Sequence, residues 1–328
     1  MSGPLIALTG ATGFIGSAAL RELGRRGVRV RALTRHPGPD GDPLVEWVPG
    51  DLTDPGSLRG LCEGADALLH LASCVSPDES LCEAVNHRGA VALAAEARRA
   101  AVPRVVALST AAVYGPGPHT GPDVDAIRPA PASPASRTRL AGEAPMLDCG
   151  AAVLRPGLVL GAGDRWVVPA LAELLRRVPA RWDGGRGLLS AVDVTDLARL
   201  VAELACGPRA VPAGVHHASH PDPVRNGDLM DALAEHAVLP RAGADWPWER
   251  CLESLRLNPG RMSERQFALL ARDHWYASAE VWRAAGCPPG PGVLARLEAA
   301  APWYRRHLAP MGQAVSGGSS SRGHHGAP

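Results

Sequence analysis

Gly10, Gly13 and Gly16 stand at G-x-x-G-x-x-G spacing in "LTGATGFIG" (8–16), after an apolar run and at the head of a helical pattern. In that context each glycine has its own job. Gly10 permits a tight turn. Gly13 lets backbone amides approach a pyrophosphate. Gly16 lets the helix pack close to the strand. The helix end adds free N–H groups and partial positive charge. Thr12, Phe14 and Ile15 complete this phosphate-binding set. The end of the next strand chooses between dinucleotides. An acid there binds a ribose diol and repels a 2′-phosphate. Here Leu33-Thr34-Arg35-His36 brings no acid before Asp40, and Arg35 suits a 2′-phosphate through charge-assisted bonds. The expected cofactor is NADP(H), NADPH when reduced. The plain alternative is a solvated arginine in an arginine-rich chain.

A second stretch is notable for what it lacks. "PASPASRTRLAGE" (131–143) runs from a proline loop into a helical segment, the kind of junction that borders an active site. It holds no Tyr, Lys, His, Cys or acid before Glu143. Ser133 and Ser136 suit a helix N-cap as well as a donor role. His119 has a side chain fit for acid work, but a solvated loop histidine is the simpler reading. His216 and His217 follow a strand-like run in the second half. Either faces a pocket, or both are core or surface. Trp166 and Trp182 suit an aromatic wall for a flat ligand, or simply core packing in a chain with two Phe. No constellation has metal-ligand spacing, and the adjacent His324 and His325 do not make a site.

The elements that must position these groups alternate. Apolar runs at 4–9, 28–33, 44–48, 67–72, 104–109 and 151–157 read as strands. Helical patterns cover 14–26, 79–101 and 136–148. Buried strands alternating with helices call for a parallel sheet covered on both faces. Beyond 157 the rhythm loosens. Helices are expected at 166–177, 193–205, 226–238, 263–272, 278–285 and 292–307, with short strands at 188–192 and 214–219. The small polar run from 311 reads as disordered.

Composition excludes several classes. With 34 basic and 33 acidic residues the net charge is +1, so no field favours nucleic acid or an anionic membrane. All the basic residues are arginine. The seven cysteines are scattered without a C-x-x-C pair, which reads as free thiols in a reducing cytoplasm. No apolar stretch spans a bilayer. The expected setting is cytoplasmic, the expected state a monomer or homodimer, and the expected partner a small molecule.

"GDLTD" (50–54), "HLAS" (70–73), "STAAVYG" (109–115), "LRPGLVLG" (154–161) and "VDVTDLA" (192–198) follow the glycine loop in order. With them the chain resembles the extended short-chain dehydrogenases/reductases, a group of nucleotide-sugar epimerases, dehydratases and ketoreductases. The likeness covers residues 4–205 and, more faintly, 303–308. It implies an α/β fold, a Rossmann-type doubly wound parallel sheet with a smaller, mostly helical C-terminal part. The implied division is an NADP(H)-binding domain at 1–157, an interleaved substrate-binding region at 158–310 and a tail at 311–328. By the same resemblance Asp51 and Leu52 contact the adenine. Leu71, Ala72 and Ser73 line the adenosine and pyrophosphate, and Pro156, Gly157 and Leu158 lie along the nicotinamide. Thr110, or Ser109, bonds the substrate carbonyl.

Such enzymes also carry a catalytic tyrosine, with a lysine four residues later, just ahead of a Leu-Ala-x-Glu run. Counting back from Leu140-Ala141-Gly142-Glu143 puts Arg139 at the lysine position and Ala135 at the tyrosine position. No register shift rescues the pair, because the chain has no lysine and no tyrosine between 115 and 275. Tyr114 belongs to the "VYG" turn. A positioned general acid is worth about 10²–10⁴-fold, roughly 3–5 kcal/mol. Near-attack positioning supplies about 7–11 kcal/mol and survives the loss. The expectation is therefore a one-way NADPH-dependent ketoreductase whose proton comes from a substrate hydroxyl or water. A phenol beside the ketone suits this, as in aromatic polyketides of antibiotic biosynthesis, and the nearest precedent is the atypical angucyclinone ketoreductases. Arg139 then replaces lysine at the nicotinamide ribose. Two alternatives stand beside it: a nucleotide-linked 4-keto-6-deoxy-sugar reductase, and a non-catalytic NADP(H)-binding sensor or scaffold.

Overall fold

The computed structural model describes residues 3–38, 41–209 and 212–313. Seven strands form the central sheet: β1 (Leu5–Thr9), β2 (Arg29–Thr34), β3 (Val45–Pro49), β4 (Ala67–His70), β5 (Val105–Leu108), β6 (Ala152–Arg155) and β7 (Gly214–His217). Their order is β7-β6-β5-β4-β1-β2-β3, and every pairing is parallel. Every residue of β1, β4, β5 and β6 is buried, as strands covered on both faces must be. The order reverses direction beside β1, and a crevice forms there at the C-terminal strand ends.

Helices α1 (Phe14–Arg25) and α5 (Val194–Cys206) cover one face, with Leu23, Leu197, Leu200 and Val201 in its core. Helices α2 (Gly89–Arg99) and α3 (Pro134–Leu147) cover the other, around Leu68, Leu93 and Met146. Helix α4 (Val167–Arg177) belongs to a separate core with Trp182, Phe267 and Tyr304. The second half of the chain thus contributes β7 and α5 to the sheet layers, besides building its own core.

Three departures from the sequence reading have identifiable causes. The helix expected at 79–101 is broken into Glu79–Cys82, a widened π-helical turn at Glu83–Arg88, and α2. That turn brings the Asn86 carbonyl against α3 at Gly142, where a Cβ would lie 2.1 Å from it. Helix α3 starts at Pro134 rather than 136, because Ser133 is the N-cap and forms a capping box with Ser136. Helix Trp248–Leu257 was not anticipated, since only Cys251 and Leu255 of it are buried and its apolar stripe is short.

The last helix, Val293–Gln313, runs into the segment expected to be a disordered tail. Residues 314–328, with His324 and His325, lie outside the described residues, as does Asp40. Among the described residues no helix is long and apolar enough to cross a membrane, and no three His, Cys, Asp or Glu side chains are grouped to hold a metal ion. The seven cysteines are free.

Candidate active site

The glycine loop joins β1 to α1 in a shape that only these residues allow. Gly10 has φ +80°, and a Cβ there would sit 2.6 Å from the Ala72 amide nitrogen. A Cβ on Gly16 would lie 1.9 Å from the Gly10 carbonyl oxygen. Gly13 caps α1 and makes no side-chain cap hydrogen bond. The first-turn amides of Phe14, Ile15 and Gly16 have no partner within the helix. This is a ready cradle for phosphate oxygens. Thr12 is exposed beside it, and Leu71 and Ala72 pack against Gly10, with the Leu71 amide donating to the Thr9 carbonyl at 3.1 Å, while Ser73 lines a cleft with Arg139.

Asp51 and Leu52, expected at the adenine, follow β3. The Asp51 Oδ1 accepts from the Thr53 amide (2.8 Å) and hydroxyl (2.9 Å). The Thr53 amide leads in holding the Asp51 carboxyl below the usual range, with Arg35 assisting. Leu52 is buried against Gly89. Arg35 is exposed just past β2 and forms no ion pair among the described residues.

Thr110, expected to bond a substrate carbonyl, caps the short turn Ala111–Tyr114, and its Oγ1 accepts from the Ala112 amide at 3.2 Å. That leaves its hydroxyl proton to donate elsewhere. The Ala111 amide donates to the Pro156 carbonyl at 2.8 Å, so the Pro156–Leu158 segment lies against Thr110. Gly157 is required there, since a Cβ would come 2.3 Å from the Ser190 carbonyl. The Gly157 and Leu158 amides are engaged with Ser219 and Ser190.

Ser109 does not serve as a second carbonyl donor. It is buried, and its hydroxyl donates to Glu143. Strand alternation turns neighbouring side chains to opposite faces, which separates Ser109 from Thr110. Glu143 in turn holds Arg155 in a buried two-point pair, Nε at 3.0 Å and Nη2 at 2.5 Å. Arg155 donates to the Tyr114 hydroxyl at 2.8 Å, and that hydroxyl donates to His217 Nε2 at 2.6 Å. His217 Nδ1 closes the chain on the Ala277 carbonyl at 3.1 Å. Tyr114 is therefore an internal strut, and burial raises its phenol above the ordinary range. The sequence pointed to no pairing of Glu143 with Arg155, whereas His217 takes the core position that was one of its two expected places. Glu143 and Arg155 sit in motif segments, but only the fold shows that they meet.

Ala135 lies in the first turn of α3 and brings no polar atom. Ser133 and Ser136 bond each other in the capping box and are not donors to a substrate. Arg139 lines a cleft with His70, Ser73, Asn86 and Ser109. Its Nη2 donates to the Leu108 (3.2 Å) and Ser109 (2.5 Å) carbonyls, and its Nε is buried without a partner. Burial brings the guanidinium down to about 10, so it stays charged at neutral pH. His119 is half-buried and bonds the Tyr276 hydroxyl at 2.8 Å, so it is not a free loop histidine. His216 contacts the Pro212 carbonyl at 3.0 Å. The paired tryptophan wall does not form. Trp182 is fully buried against Phe267, whereas Trp166 is 65% exposed.

The buried imidazoles make stability depend on pH. Burial, then the nearby Arg139 charge, pushes His70 down to about 4, and burial pushes His217 to about 4. Both stay neutral in the fold but take a proton in the unfolded chain below about 6.5. Stability is full above that value and falls as pH drops toward 4, by about 3 kcal/mol per imidazole. The thermal midpoint of the wild type is expected to fall between pH 7 and 5 more steeply than that of His217→Gln. Parallel curves would remove His217 from this account.

A family model, described as the NAD dependent epimerase/dehydratase family, matches residues 6–216. The chain belongs to that family. Among curated members and relatives, the 2-alkyl-3-oxoalkanoate reductase of Stenotrophomonas maltophilia is 29% identical over 327 residues, covering 90% of this chain and 98% of that protein. The 4-hydroxy-2-methyl-3-oxo-4-farnesyl-3,4-dihydroquinoline-1-oxide ketoreductase of Stigmatella aurantiaca is 30% identical over 208 residues, covering 58% of this chain and 61% of that protein. Matches to two further relatives span about half of those proteins' own length, 50% and 52%. A short-chain dehydrogenase/reductase superfamily protein from Agrobacterium tumefaciens, solved with bound NAD, shares the fold with a TM-score of 0.71. It is 24% identical and covers 94% of this chain and 99% of its own. The glycine cradle and free helix end fit the dinucleotide of such an epimerase/dehydratase-family member.

Proposed function

We propose that this protein is an NADPH-dependent ketoreductase acting on a ketone of an aromatic polyketide of angucyclinone type, in antibiotic biosynthesis. One observation carries the reading: a free Thr110 hydroxyl sits beside the Pro156–Leu158 segment, while the acid position is Ala135. That pattern retains carbonyl binding and loses the protein's own general acid. The bound reduced nicotinamide supplies the hydride. Thr110 orients and polarises the substrate carbonyl. The alkoxide takes its proton from an adjacent substrate hydroxyl or from water. Arg139 Nη1 remains available for the ribose, and Pro156, Gly157 and Leu158 wall the nicotinamide. The ketoreductase named for Stigmatella aurantiaca acts on a keto group of a dihydroquinoline, which supports a ring-ketone substrate here.

The preference for NADPH rests on Arg35, exposed and unpaired by any described acid where the 2′-phosphate would lie. The test is NADPH oxidation across a panel of phenolic ketones and quinones. Turnover of phenolic ketones without turnover of simple ketones is expected. Tight nucleotide binding with no turnover favours the sensor reading. In the same assay Arg35→Asp is expected to lower the NADPH/NADH preference by at least tenfold, about 1.4 kcal/mol. An unchanged ratio removes Arg35 from the 2′-phosphate site.

A further inference from the structure

Trp166 is the exposed aromatic among the large apolar side chains that the described surface leaves in water. An indole buries about 150–250 Å² when it is packed, so its exposure forgoes a sizeable gain in stability. Its backbone is nonetheless rigid. Asp164 is buried and accepts from the amides of Trp166 (2.8 Å), Val167 (2.8 Å) and Val168 (3.0 Å) at the start of α4. It also accepts from the Tyr304 hydroxyl at 3.1 Å, and that oxygen accepts from the Gly161 amide at 2.9 Å. The loop carrying Trp166 is thus stapled at both ends to the C-terminal helix.

The loop's position gives the indole a use. It leaves the strand Leu158–Leu160, which continues the Pro156–Leu158 segment beside Thr110. It then passes over the head of α1, where Gly163 sits against the Phe14 ring and a Cβ would lie 2.8 Å from it. The loop that carries Trp166 therefore runs from the segment beside Thr110 to the head of α1, and the indole itself is exposed. A solvent-facing indole on such a firmly held stretch of backbone can cover a flat π surface at little cost in backbone ordering.

We propose that Trp166 is the stacking platform for a fused-ring aromatic ketone and sets the preference for flat over compact substrates. This deepens the ketoreductase reading and rests on it for the word substrate. The platform itself is a binding claim and is tested without turnover.

The probe is alizarin, a fused three-ring phenolic diketone, titrated calorimetrically into the NADP⁺-loaded full chain. Trp166→Ala is expected to weaken alizarin binding about tenfold or more, the scale of one lost aromatic stack. Trp166→Phe should stay within about threefold of wild type, and NADP⁺ affinity should not change in either variant. The Phe variant also guards against a folding defect in the Ala variant. Equal alizarin affinity in wild type and Trp166→Ala overturns the platform, even if the wild type reduces ketones. So does a wild type that reduces compact ketones yet does not bind alizarin. Trp166-dependent binding without turnover of any ketone upholds the platform and overturns the ketoreductase reading. No binding and no turnover overturns both.

Discussion

Glu143→Ala is expected to cost about 3–5 kcal/mol of folding stability, the largest loss from any single side chain in the site. Glu143 is buried and is the carboxylate that Arg155 pairs with by two nitrogens. Removing it leaves a buried guanidinium with only the Tyr114 hydroxyl, and strands the Ser109 hydroxyl as well. The penalty is for the unpaired charge, not for the pair itself. Replacing both partners with apolar side chains, as in Glu143→Leu with Arg155→Met, should therefore restore much of the loss. Urea unfolding of the single and double variants measures this. A loss below about 1 kcal/mol in Glu143→Ala would show that the network is not needed to hold the turn above it.

The second large effect is on rate. Thr110→Val is expected to lower kcat by about 10²–10³-fold on any ketone the wild type reduces. The valine keeps the shape but has no proton to give to the developing oxyanion. Thr110→Ser should retain most of the activity, since the donor is kept. Thr110 also caps its turn, so the valine variant should lose about 0.5–2 kcal/mol of stability as well. That loss is small beside the kinetic effect, and the KM for NADPH should not move. A valine variant within tenfold of wild type would falsify the assignment of Thr110 as the carbonyl donor.

Much of this site is legible from the chain alone, for a definite reason. The glycine loop depends on local backbone conformation. Gly10 at φ +80° and the close approach of Gly16 to the Gly10 carbonyl are consequences of residue type and spacing. The strand and helix alternation is likewise a local pattern of burial, and the sheet follows it closely from β1 to β6. The break at Glu83–Arg88 was not legible, because it answers to Gly142 on another helix.

The chemistry at the reaction end divides the same way. By the family resemblance, counting back from Leu140-Ala141-Gly142-Glu143 assigns Ala135 and Arg139 to the expected acid and lysine positions, and this reading needs only the sequence. It could not separate Ser109 from Thr110, which are adjacent hydroxyls of similar type. Only the fold decided that Ser109 points inward to Glu143 and Thr110 keeps its proton free. It likewise put Trp182 in the core and left Trp166 exposed, two residues that composition treats alike. Backbone conformation and periodicity are written into neighbouring residues. The direction of a hydroxyl's proton, and which side of a core an indole meets, depend on partners tens of residues away.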